Sequence, residues 1–100
     1  MGKLVRDKVP EIIKNDGRTP IIEILSNEDY LIELDKKLNE EVAEYHADKS
    51  IEEMADVLEV LFTICEARGH SVEELLQLKA MKSEKRGGFK DRIYWLGNEE

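Results

Sequence analysis

Four acidic residues in the middle of the chain, Glu41, Glu44, Glu53 and Asp56, have the types and the spacing to hold a divalent cation. Glu41 and Glu44 are three apart, as are Glu53 and Asp56, so on helices each pair shares one face. The stretch between the pairs is short, and two helices joined by a short turn run antiparallel. In such a hairpin, residues whose numbers have the same total lie at the same height. Glu41 with Asp56 and Glu44 with Glu53 meet that condition, so the spacing allows two stacked carboxylate pairs near the turn. Two carboxylates ~5 Å apart at an effective dielectric of ~20 repel by roughly 3 kcal/mol, a cost that a cation removes. Hard oxygen ligands in that number suit magnesium, with manganese as a substitute, better than calcium.

Position adds to spacing. Glu41 interrupts the apolar row Leu34, Leu38, Tyr45, and Asp56 interrupts the most hydrophobic stretch of the chain. Acids are almost never buried unless paired or metal-bound. The other two have ordinary explanations as well. Glu53 is the third residue after Ser50, where a capping box would use it, and Glu44 fits a solvated face near a helix end. Glu40 and Glu52 read as exposed acids, and Glu59, one turn beyond Asp56, as a surface acid.

The elements that must position these residues read as helices. Pro10 favours a short first helix ending by Gly17. Ser26 is an N-cap with Asp29 in the first turn, and Leu31, Leu34, Leu38, Val42 and Tyr45 then mark one face of a long second helix. Ser50 caps a third helix that is apolar around most of its circumference, from Ile51 to Cys65, and so is expected to be the most buried element. Gly69 stops it, and Ser71 with Glu74 caps a fourth helix running to Gly87 and Gly88. The expected fold is an all-α, hairpin-based bundle of about four helices in one domain over residues 1–100. Residues 20–25 and 91–96 are compatible with a minor two-stranded β edge.

Composition narrows the functions. Apolar residues make up 41% of the chain and charged ones 38%, a mix for a folded helical domain rather than a disordered segment. The net charge of −8 argues against nucleic-acid binding. No apolar run approaches a membrane span, and the first residues are polar where a secretory leader would need an apolar stretch. Cys65, the single cysteine, allows no internal disulfide and reads as a packed core thiol. A cytoplasmic location is the expectation. A domain this small gains burial by pairing with itself. His46 and His70 lack a second histidine at ligand spacing, and Tyr94 and Trp95 read as cover for a core edge.

At its acids the sequence resembles the all-helical nucleoside triphosphate pyrophosphohydrolases, the group of MazG and phosphoribosyl-ATP pyrophosphohydrolase. The signature Glu-Glu-x-x-Glu followed by Glu-x-x-Asp stands here as Glu40-Glu41-Val42-Ala43-Glu44 and Glu53-Met54-Ala55-Asp56. The run from Lys3 to Pro10 and the run from Lys85 to Phe89 look like a short single-domain branch of that group. The gap between Glu44 and Glu53 is shorter than in typical members. The resemblance implies a homodimer or larger assembly, and magnesium held by Glu41, Glu44, Glu53 and Asp56. It implies cleavage of a nucleotide to its monophosphate and pyrophosphate, with Glu41 or Glu44 accepting the proton of the attacking water.

The remaining phosphate charge calls for cations. Lys85 and Arg86, with Lys82 a turn earlier, form one candidate set, and Arg6, Lys8 and Lys3 another. Basic residues also favour a helix C-terminus for dipole reasons alone. The alternative function is a non-catalytic helical interaction module whose acids are structural. A helix-turn-helix reader is disfavoured, because its recognition helix would open on Ser71-Val72-Glu73-Glu74, acidic where phosphates are met.

Overall fold

A computed structural model describes residues 2–99. Within them the chain is all-α: α1 (Val9–Asn15), α2 (Asn27–Asp48), α3 (Ile51–Ala67) and α4 (Val72–Arg86). Each of the three longer helices opens on a serine. Ser26 Oγ accepts from Asp29 N–H, Ser50 Oγ from Glu53 N–H and Ser71 Oγ from Glu74 N–H. In α1, Pro10 lies in the first turn, where a missing N–H costs nothing.

The hairpin of α2 and α3 is the centre of the bundle, and α4 packs on α3 alone. Only Lys49 and Ser50 separate the two arms. Lys49 turns the chain in the left-handed region, φ 58° and ψ 21°, a conformation that costs a side-chain-bearing residue about 1–2 kcal/mol. Its N–H closes α2 on the Tyr45 carbonyl, and its ammonium sits 5.3 Å from the Tyr45 ring centroid. A cation over an aromatic face offsets part of the cost. Farther along, Arg68 reaches Asp35 at 3.4 Å and ties the end of α3 back to α2.

One expectation needs correction. Residues 20–25 and 91–96 form no strands. A strand needs a partner ladder to satisfy its backbone. These segments lie exposed and unpaired, with Ile21, Ile24 and Ile93 almost fully in solvent. Nor is α3 enclosed. Val60 faces α2 and is buried, but Ile51, Met54, Leu58 and Leu61 are exposed on the side α2 does not cover. The molecule measures 65 × 31 × 23 Å, with a radius of gyration of 18.2 Å, where a compact chain of this length would show about 13 Å. No helix among the described residues is long and apolar enough to cross a membrane.

Leu34 is the best-buried apolar side chain, 2% exposed between the arms. Leu34→Ala should therefore cost about 2–5 kcal/mol in urea denaturation. The cap of α4 carries a pH signature. Glu74 accepts from Ser71 N–H at 2.9 Å, and that bond chiefly holds its carboxyl below the ordinary 4.5. Folding thus favours the ionised form. The stabilisation is full above 4.5 and is lost as pH falls through the lower folded value. Glu74→Gln should flatten the acid limb of a stability–pH curve below that point.

Candidate metal centre

The hairpin brings the sequence-predicted acids together. Ligand oxygens of Glu41, Glu53 and Asp56 lie within 4.8 Å of one another. Glu41 comes from the core-facing row of α2 and is buried, and Glu53 and Asp56 come from the first two turns of α3 and are half-buried. Glu44 is exposed at the margin of this group, one turn beyond Glu41 toward the hairpin end. Glu59 lies outside it, exposed on α3.

The charges in the cluster are only partly answered. Lys37, one turn before Glu41 on α2, places Nζ 3.3 Å from Glu41 Oε1 and 3.5 Å from Glu40. Arg6, from the segment before α1, places Nη2 2.6 Å from Asp56 Oδ1. Lys3 from the same segment reaches Glu40 at 3.8 Å. Glu41 Oε2 and Glu53 Oε2 are buried without a hydrogen-bond partner among the described residues. A buried carboxylate oxygen left unpaired costs free energy unless a proton or a cation meets it.

Two acids of the group are held above their ordinary range by their surroundings. Close approach to the Glu41 carboxyl, and then the Glu41 charge, hold Glu44 above its ordinary range. Glu53 is pushed up first by withdrawal from water, then by the charges of Asp56, Asp48 and Glu41. Its side chain is also free of capping duty. Ser50 accepts from Glu53 N–H, but no bond returns from Ser50 N–H to the Glu53 carboxylate, whereas in α4 both bonds of the box form. The same spacing therefore serves a cap in α4 and an acidic cluster in α3.

The donor set fits magnesium or manganese: carboxylate oxygens only, convergent, two of them buried and unpaired. Of the cations expected at phosphate, Arg6 and Lys3 lie on the acidic hairpin, while Lys8 is exposed beside α1 with no ion pair among the described residues. Lys85 and Arg86 are not brought to the acids. They are exposed at the end of α4, where Arg86 lines a separate open cleft with Lys79, Lys90 and Arg92. His46, His70 and the free thiol of Cys65 take no part, Cys65 donating to the Ser71 carbonyl. Sequence reasoning missed Lys37, although its spacing of four from Glu41 is the helical ion-pair spacing.

In comparisons with known proteins, no family model matches the chain. A protein of Mycolicibacterium smegmatis described only as uncharacterized is 55% identical over 47 residues. The match takes in 47% of this chain and 48% of the relative, so the chain spans about half the length of the curated protein it matches. No solved structure matches.

Metal binding to the folded state alone must raise stability. Magnesium at tenfold above its Kd should add about 1.4 kcal/mol, on the order of 5–10 °C in melting temperature for a domain this size. Glu53→Gln should remove most of that increment without lowering the metal-free melting temperature, since it deletes an unpaired carboxylate. A thermal-shift titration reads both.

Proposed function

We propose that this chain is a magnesium-dependent nucleotide pyrophosphohydrolase. It would convert a nucleoside triphosphate, or a related phosphoribosyl nucleotide, to the monophosphate and pyrophosphate. Membership in the all-helical group of MazG and phosphoribosyl-ATP pyrophosphohydrolase belongs to the same proposal, as does a cytoplasmic house-cleaning role. The observation that carries it is the convergence of Glu41, Glu53 and Asp56, with two buried carboxylate oxygens that accept no hydrogen bond among the described residues.

Glu41, Glu53 and Asp56 would hold the ion, with Glu44 at the edge of the shell. When bound, magnesium supplies charge for the phosphoryl oxygens and lowers the pKa of a coordinated water. The oxygen of water forms the new bond to phosphorus, and the bond from that phosphorus to the departing pyrophosphate breaks. Glu44 is the better base of the two predicted. It is exposed, pairs with no cation among the described residues and in the metal-free protein is more basic than an ordinary carboxylate, which suits taking the water's proton. Glu41 is buried and tied to Lys37, which suits holding an ion more than moving a proton.

The exposed row Ile51, Met54, Leu58 and Leu61 on α3 supports assembly with a second copy. It also favours the second reading, a helical interaction module in which this row is the working surface and the acids are structural.

Incubation with magnesium and a panel of nucleoside triphosphates and phosphoribosyl-ATP, with product separation, decides between them. Pyrophosphate and monophosphate are the expected products. Glu41→Gln and Asp56→Asn should each lower kcat by at least about 10²-fold, beyond the usual effect of losing an outer-shell partner. Glu44→Gln should lower kcat with magnesium affinity largely kept. In the metal-free wild type the Glu44 carboxyl should titrate above its ordinary 4.5, and magnesium loading should lower it, as a pH titration with and without the ion reads. Orthophosphate as the primary product rejects the proposed bond cleavage. No turnover and no magnesium-induced stabilisation would establish the interaction module.

A further inference from the structure

The segment before α1 lays two cations across the acidic hairpin: Lys3 on Glu40 of α2 and Arg6 on Asp56 of α3. Arg6 belongs to no helix, and its side chain keeps 59% of its exposure despite the 2.6 Å contact. The residue it meets is one of the three whose oxygens converge. A guanidinium and a divalent ion on the same carboxylate repel each other. A freed arginine offers a planar fork of donors matched to phosphate oxygens.

We propose that Arg6 is an exchangeable counter-ion of the metal centre. It neutralises Asp56 while the centre is empty, leaves when a divalent cation loads, and then grips a phosphate of the incoming nucleotide. This rests on the metal-centre reading above and adds to it an order of events: metal first, then the arginine on the substrate. The Lys3 contact with Glu40 holds the segment across the hairpin throughout, so the exchange asks for side-chain movement and not for departure of the strap.

Calorimetry on the full chain tests this with two probes, magnesium alone and then inorganic pyrophosphate added to magnesium-loaded protein. Arg6→Gln should bind magnesium about twofold to fivefold tighter, the scale of one partly exposed ion pair, and pyrophosphate weaker by a similar factor. Arg6→Lys, which keeps the charge without the fork, should bind magnesium like the wild type and pyrophosphate less tightly. A fixed structural role cannot shift the two affinities in opposite directions. Weaker or unchanged magnesium binding by Arg6→Gln would mean that Arg6 orients Asp56, and the exchange is wrong. Tighter magnesium with unchanged pyrophosphate binding rejects it equally. If the wild type binds no magnesium at millimolar concentrations, the metal centre itself fails, and the exchange with it.

Discussion

Like charges drawn out of water between two packed helices must be answered by something, and here the answer is incomplete. Glu41 is buried at a position where the row on α2 otherwise supplies leucine and tyrosine, and Glu53 and Asp56 face it from α3. Lys37 neutralises one oxygen of Glu41, and Arg6 one oxygen of Asp56. The first turn of α3 adds its partial positive charge near Glu53. What is left over is concentrated on two oxygens. Caps, turn and strap all have to accommodate that residue of negative charge.

Much of this was legible because it is local. The serine caps, the four helices and the shared faces of the acids follow from spacings of three and four residues, which a helix converts directly into neighbourhood. What could not be read depended on the rest of the chain. Nothing near Arg6 says that it meets Asp56, fifty positions away. Ser50 with Glu53 and Ser71 with Glu74 are the same motif, yet only the second closes its box. Glu74 stands in solvent beside His70, whereas Glu53 looks across a helix interface at other acids. The two segments expected as strands had suitable residues and no partner, and composition alone cannot supply one.

The two sides of α3 are opposite in character. Toward α2 it carries the acids at its start and Val60 deeper in; away from α2 it shows a row of large apolar side chains. Whatever covers that row packs on the backbone that also positions Glu53 and Asp56. Packing on one side and ion geometry on the other are then mechanically joined, because a helix moves as a rod at this length.

The brevity of the turn at Lys49 and Ser50 limits how the hairpin can change over evolutionary time. With almost no slack between the arms, one residue added to a single arm shifts its contents by about 1.5 Å and rotates them by roughly 100°, scattering the acids. An insertion between the acids and the bend keeps them face to face only when the opposite arm gains a matching one and each is close to whole helical turns, such as about seven residues. Relatives of this hairpin should therefore differ in length by compensated pairs of such insertions, keeping the acids of the two arms equally far from the bend.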